Sequence, residues 1–228
     1  MLNIVKNTTM IGPMDLLAPH SCRGCGRIGP ILCERCKKYI LEKQHNICPK
    51  CKKPNPTGNC PNCPNLPPTF IGGERTGLLA DIVQSYKYNS IRALSFPLAE
   101  IIAHALPSFS LPSSIVPLPT IPKHIRIRGF DHTSLMAKQL SKITNYPVSP
   151  ILSRAKNTVQ VGTSHAKRSQ QAREAYTLSG ATIDPSVNYI LLDDVWTTGA
   201  SMQAAIKKLQ QAGVKHISIT ILSLSRLT

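Results

Sequence analysis

The sequence predicts an α/β protein: a mostly parallel sheet with flanking helices, preceded by a small zinc-binding module. Three observations carry this. From residue 67 onward, short apolar runs alternate with stretches of helical period, the pattern of a parallel sheet covered on both faces. All eight cysteines lie between residues 22 and 63, in four C-x2-C pairs. One apolar run, "ILLDDVWTTGAS" at 190–201, ends on two aspartates and then enters a helix-like stretch through Thr-Thr-Gly. The chain divides accordingly into a lead and cysteine module at 1–66 and a larger domain at 67–228.

Composition sets the frame. The 228 residues suffice for one moderate domain with a small appendage, and a hydrophobic fraction of 42% can build a core. No run reaches the roughly 18 apolar residues of a membrane helix. Lys6, Asn7 and Pro13 interrupt the first twenty residues, so no secretory signal is apparent. These features predict a cytoplasmic protein with no membrane insertion. The formal net charge is +16. Two zinc ions on eight thiolates would lower it only to about +12, still strongly basic. Such a charge suits phosphate, as nucleic acid or as a nucleotide-like ligand. Spread evenly, it would serve solubility alone.

The cysteine module comes first. Cys22/Cys25, Cys33/Cys36, Cys48/Cys51 and Cys60/Cys63 each place two sulfurs on one turn, and a second pair completes a tetrahedral site. Disulfides are disfavoured without a sign of export. "CRGCGRIGPILCERC" is echoed by "CPKCKKPNPTGNCPNC", which favours two sequential sites, 22/25/33/36 and 48/51/60/63. Interleaved pairing also fits the spacing. A segment with so few large apolar residues needs metal to fold, and four thiolates leave no open coordination position. The zinc ions are therefore expected to be structural.

After the Pro- and Asn-rich stretch that ends the module, helices are expected over 77–88 and 92–106, with Pro97 near a start or a kink. A strand over 113–119 runs into a proline loop. A helix over 131–144 can be capped by Asp131. A strand is expected over 148–152, then a long polar loop over 154–173 of the kind kept for function. The last elements are a buried strand over 188–192, a helix over 200–213 stopped by Gly213, and a strand over 215–224.

In such sheets, ligands bind at the carboxyl ends of the strands. There, Asp193 and Asp194 suit sugar hydroxyls. The turn Thr197-Thr198-Gly199-Ala200-Ser201 offers backbone N–H groups, hydroxyls and the positive end of a helix to a phosphate. A phosphorylated sugar satisfies both. The plain alternative is a capped helix beside two solvated acids, but adjacent carboxylates after a buried strand are costly.

This stretch resembles the phosphoribosyl-pyrophosphate (PRPP) motif of type I phosphoribosyltransferases: apolar strand, two acids, two variable residues and a T-G-x-T-like turn. Ser201 stands where threonine is common. The resemblance implies Asp193 and Asp194 on the ribose hydroxyls, as the candidate catalytic residues, and Thr197, Thr198, Gly199, Ala200 and Ser201 on the 5′-phosphate. Mg²⁺ would accompany PRPP.

Cysteine knuckles ahead of such a domain resemble the ComF family of competence-associated, phosphoribosyltransferase-like proteins, over nearly the whole chain. The matching stretches are "DLLAPHSCRGC", "SYKYNS", "PLPTIPKHIRIRGFDH" and "TVQVGTSHAKRSQQAREAY", with Gln160, Arg168, Ala175 and Tyr176 at family spacing. Asp131-His132 replaces the usual Asn-Gln, and Gln171 stands where Asn is common. Asp131 would bring negative charge to an anionic site, or serve as a helix cap. The resemblance implies a role in natural transformation, with single-stranded DNA and a competence helicase-like protein as partners.

Lys123, Arg126 and Arg128 precede Gly129, and their geometry suits pyrophosphate or another anion. Arg168, on the long loop with Lys156, Lys167 and Arg173, can close over it. Lys87 either points into the same cleft or is solvated. His124, His132 and His165 have no partner visible in sequence, and none stands out as a base. There is no Walker-type loop, H-E-x-x-H or G-x-S-x-G. Two readings remain. One is a PRPP-binding protein of DNA uptake, and the other an active phosphoribosyltransferase of nucleotide or base metabolism with no DNA role. With aromatic residues at 5%, a base-stacking platform has little support.

Overall fold

The computed structural model describes residues 21–44, 46–155, 176–180 and 182–225. Its centre is a four-stranded parallel sheet. The strands are β1 (Thr69–Ile71), β2 (Ser113–Pro117), β5 (Asn188–Trp196) and β6 (His216–Leu224), in the order β1–β6–β5–β2. Four helices of the main domain are α2 (Gly77–Tyr88), α3 (Ser95–Ala105), α5 (His132–Thr144) and α6 (Ala200–Gln211). The expected parallel sheet with flanking helices is therefore present.

Each face of the sheet carries its own core. Ile115, Ile190, Leu192 and Leu222 face α2, α3 and α5, burying Ile82, Tyr86, Ile101, Ile102, Met136 and Leu140. Val116, Leu191, Ile219 and Ile221 face α6, burying Met202, Ala205 and Leu209 with Trp196. Residues 189–192 of β5 thus alternate between the two cores, as strand geometry requires.

Three elements differ from the sequence reading. The strand expected over 188–192 continues to Trp196, because β6 pairs with it throughout. Asp193 lies opposite Ile221, Val195 opposite Ser223, and Trp196 opposite Leu224. The strand expected over 148–152 contributes only one parallel bridge, Val148 to Ile115. Pro117 stands where the next β2 donor on that side would be, and it has no N–H to extend the ladder. The chain instead forms a separate antiparallel ribbon, β3 (Leu152–Arg154) with β4 (Tyr176–Leu178). The proline loop after β2 contains a short helix, α4 (Pro122–Arg128), with proline in its first turn and left-handed Gly129 (φ 75°) closing it. None of its residues is buried.

The other expected elements form. Pro97 sits in the first turn of α3, where its missing N–H costs nothing. Asp131 caps α5, accepting the Ser134 N–H at 3.0 Å. In the cysteine module, helix α1 (Glu34–Glu42) packs on α3. The Lys37 ammonium bridges Glu34 (2.8 Å) and Glu100 (2.9 Å), and the Gln44 amide donates to the Ile101 carbonyl at 3.0 Å. The long loop expected over 154–173 lies almost entirely outside the described residues, as does the lead at 1–20.

Candidate functional site

Because β5 runs through both aspartates, their side chains leave opposite faces of the sheet. Asp193 follows Leu191 toward α6, and Asp194 follows Leu192 toward α2 and α5. The two acids that sequence pairs as one grip are therefore separated by the strand itself.

On the α6 side, Asp193 lines a small pocket of about 50 Å³ with Trp196, Thr197, Thr198, Gly199, Ala200 and Ser201. That is the scale of one phosphate group, well below the volume of a whole nucleotide site. Thr197, Thr198, Ala200 and Ser201 are exposed, and the Ala200 N–H donates to Thr198 Oγ1 at 3.4 Å. Gly199 is fixed by two constraints. Its φ is +76°, and an added Cβ would meet the Trp196 indole at 2.4 Å. The indole thus packs directly beneath the turn. No acidic residue stands in the first turn of α6. Asp193 is half-buried and accepts the Asp194 N–H at 2.8 Å. Burial pushes its carboxyl well above the ordinary carboxylate range, and the Asp194 charge adds to the effect.

On the other side, Asp194 is 4% exposed. Its Oδ2 lies 2.5 Å from the Lys87 ammonium and 2.9 Å from His132 Nε2. Burial alone would raise its pKa. The His132 hydrogen bond and the Lys87 charge outweigh that and hold the carboxyl below its ordinary range. Lys87 ends α2 and His132 begins α5, so two helix termini converge on one carboxylate.

His132 extends the network toward α4. Its Nδ1 lies 3.0 Å from an Arg128 guanidinium nitrogen, and its backbone carbonyl accepts the Tyr86 hydroxyl at 2.6 Å. Thr120 Oγ1 is 3.3 Å from the same Nδ1, but its hydroxyl donates to Asp131 at 2.9 Å. A guanidinium has only donors and a carboxylate only acceptors. This pattern requires a neutral imidazole with its proton on Nε2. The Arg128 guanidinium also lies over the Tyr88 ring, 5.5 Å from its centroid. Ser90 Oγ donates to the Arg128 carbonyl at 3.0 Å, and Arg92 donates to the Gly129 carbonyl, which ties the turn from behind.

The cysteines form two groups, Cys22/Cys25/Cys33/Cys36 and Cys48/Cys51/Cys60/Cys63. Within each group all four sulfurs lie within 4.8 Å of one another. This is the sequential pairing, and none of the eight is in a disulfide. The sulfurs fit a four-thiolate ion. Cys22 Sγ accepts N–H groups from Gly24 (3.4 Å) and Cys33 (3.3 Å). Although burial opposes it, backbone N–H groups of Cys33, Cys25 and Gly24 lower the Cys22 thiol to about 6. Gly24 also leaves room for the Cys36 sulfur, which an added Cβ would meet at 2.6 Å. Both groups can hold a metal ion.

The structure thus brings Asp193 together with the 197–201 turn, and Asp194 together with Lys87, His132 and, through the imidazole, Arg128. Lys123 and Arg126 lie exposed on α4, away from these contacts. Arg168 lies outside the described residues. His132 is the residue that sequence reasoning left without a role, and Lys87, read as either in the cleft or solvated, points inward onto Asp194. The usable signal was parity: Asp194 shares a strand face with Ile190 and Leu192, and so must meet a cation from a covering helix.

A parallel α/β sheet with an acid and a hydroxyl-rich turn at its carboxyl end, joined to two four-thiol groups, defines the class of this protein. No family model matches the chain. Three curated relatives do. Competence protein F of Haemophilus influenzae is 28% identical over 214 residues, covering 87% of this chain and 93% of that protein. Competence protein ComFC of Bacillus subtilis is 26% identical over 217 residues, covering 86% and 84%. Competence protein ComFC of Streptococcus pneumoniae is 21% identical over 192 residues, covering 82% and 84%. These likenesses support membership of the ComF family. A solved structure of the allosteric regulatory enzyme of purine biosynthesis aligns with a TM-score of 0.45 at 16% identity, over 62% of this chain and 30% of that one. Among the described residues, no helix is long and apolar enough to cross a membrane.

Proposed function

We propose that this chain is a ComF-type competence protein that binds PRPP with Mg²⁺ at the carboxyl end of β5 and assists DNA uptake. The observation that carries the reading is the pocket shared by Asp193 and the Thr197–Ser201 turn. A carboxylate suited to sugar hydroxyls stands beside N–H and hydroxyl donors suited to a phosphate. In this reading the 5′-phosphate occupies the turn and the ribose hydroxyls meet Asp193. Asp194, held by Lys87 and His132, supports the strand end from behind. Arg128, with Lys123 and Arg126 on exposed α4, takes the pyrophosphate, and Arg168 joins it from the long loop.

The relatives' shared name supports the competence role. A formal charge of +16 supports contact with single-stranded DNA, in concert with a helicase-like partner. The two four-cysteine groups hold structural zinc ions in this reading, one in each.

Calorimetry with Mg²⁺ and PRPP tests the pocket, and transformation frequency tests the role. Wild type binds PRPP, Asp193→Ala binds at least about tenfold more weakly, and the Asp193→Ala strain transforms poorly. No binding by wild type overturns the PRPP reading. Normal transformation by a strain whose protein no longer binds PRPP separates the pocket from DNA uptake.

A further inference from the structure

We propose that His132 is a positioning residue that orients the Arg128 guanidinium toward the bound anion and anchors it, through Asp194, to the end of β5. The inference rests on the reading of Arg128 as a pyrophosphate ligand, and it assigns a second role to the histidine that holds Asp194.

Three features of the geometry carry it. First, His132 is 5% exposed, yet both ring nitrogens are engaged: Nε2 with Asp194 at 2.9 Å and Nδ1 with Arg128 at 3.0 Å. A buried imidazole with a single available proton can satisfy both partners only with the proton on Nε2. The same proton placement leaves Nδ1 as the acceptor for Arg128. Second, α4, which carries Arg128, has no buried residue. An arginine on such a helix has no packed core to fix its aim, so the aim must come from its polar contacts. Those contacts are the imidazole and the face of Tyr88. Third, the chain of contacts runs from α4 through α5 to β5, and ends on the residue directly behind Asp193. One imidazole therefore couples the two expected halves of a PRPP site: the basic helix that would hold pyrophosphate and the strand end that would hold ribose.

The groups around His132 are consistent with this assignment. Lys87 from α2 neutralises Asp194, so the pair does not draw Arg128 away from its aim. Asp131 is occupied by Thr120 and by capping α5, so it does not compete for the guanidinium. An arginine spends only part of its fork on Nδ1 and the Tyr88 face. The remaining N–H groups are those an anion would meet.

The test is calorimetry of the full, zinc-loaded chain with Mg²⁺ and either inorganic pyrophosphate or PRPP. His132→Leu removes both contacts and is expected to weaken pyrophosphate binding about tenfold, the scale of one charge-assisted contact. His132→Gln keeps one acceptor and one donor at similar reach, and is expected to bind within about threefold of wild type. Arg128→Ala weakens binding about tenfold, and the His132→Leu/Arg128→Ala pair is no weaker than Arg128→Ala alone. Should His132→Leu fail to fold, histidine ¹⁵N spectra of wild type carry the test. They are expected to show the Nε2–H form, with the Nδ1 resonance moving on Arg128→Ala. Wild-type affinity in a folded His132→Leu variant, multiplying losses in the double variant, or a proton on Nδ1 would each overturn the assignment. Failure of wild type to bind pyrophosphate and PRPP at all would instead overturn the PRPP reading, and an unaltered affinity in Arg128→Ala would remove Arg128 from it.

Discussion

On one face of β5, Asp193 looks into a shallow, solvent-facing pocket beside the start of α6. On the other, Asp194 is sealed between α2 and α5 with a lysine and a histidine on the same oxygen. One peptide bond separates them. Their carboxyls are driven in opposite directions, Asp193 above the ordinary range and Asp194 below it. The difference shows how a strand converts a sequence repeat into a division of labour. Alternation gives one acid to solvent and ligand and the other to the core. The buried acid is tolerable only because two cationic or donor groups converge on it.

The largest test of this contrast removes the sealed acid. Asp194→Ala leaves the Lys87 ammonium, 13% exposed, without its partner and strips His132 of its acceptor. Breaking a buried pair from one side costs about 3–5 kcal/mol, and that loss is expected in chemical denaturation. A loss below about 1 kcal/mol would mean that Lys87 and His132 reach water without Asp194, and the sealed side would not be sealed.

Next comes the floor of the open side. Gly199→Ala places a Cβ at φ +76° and against the Trp196 indole. A cost of about 1–3 kcal/mol is expected from the backbone alone, and the indole must also move. Thermal unfolding measures the first effect and Trp196 fluorescence the second. Because Trp196 is the single tryptophan, an unchanged emission spectrum would show that the turn does not rest on the ring.

Much of this was legible in sequence, for physical reasons. Continuous apolar runs exposed β2, β5 and β6, which are covered on both faces, and helical periodicity exposed the helices over 77–88 and 131–144. The cysteine spacing gave the two metal-ready groups, since C-x2-C geometry is local. Asp131 as a cap was also local, readable from its place before an amphipathic run. What escaped was set by tertiary pairing. Asp193-Asp194 read as a strand end because charge usually stops a buried run. Only the β6 partner keeps β5 extended to Trp196. Helix α4 escaped because, with nothing buried, it has no apolar face to register, although Pro122 and Gly129 bracket it. His132 escaped, and Lys87 stayed open between cleft and solvent, because their shared partner lies more than sixty residues away. No local pattern reports such a contact, and β1 and β4, three residues each, are too short to show a period.

The smallest expected effect is the most discriminating, because its sign is opposite to that of the first. The Asp193 carboxyl is raised in the folded chain, so folding favours its protonated form. Its ionisation costs stability as pH rises from the unfolded carboxylate value, near 4, toward the higher folded value. Asp194 runs the other way. Its lowered carboxyl contributes stability above the unfolded value, and this is lost as pH falls toward the folded one. Asp193→Asn keeps an oxygen to accept the Asp194 N–H but removes the like charge neighbouring Asp194 across the strand. It is expected to gain on the order of 1 kcal/mol at pH 7 and nothing at pH 4, read from denaturation midpoints at the two values. PRPP affinity should fall in the same variant, since the ligand loses its carboxylate. Equal loss of stability from Asp193→Asn and Asp194→Asn would make the two faces equivalent and remove the basis for assigning the ligand to Asp193.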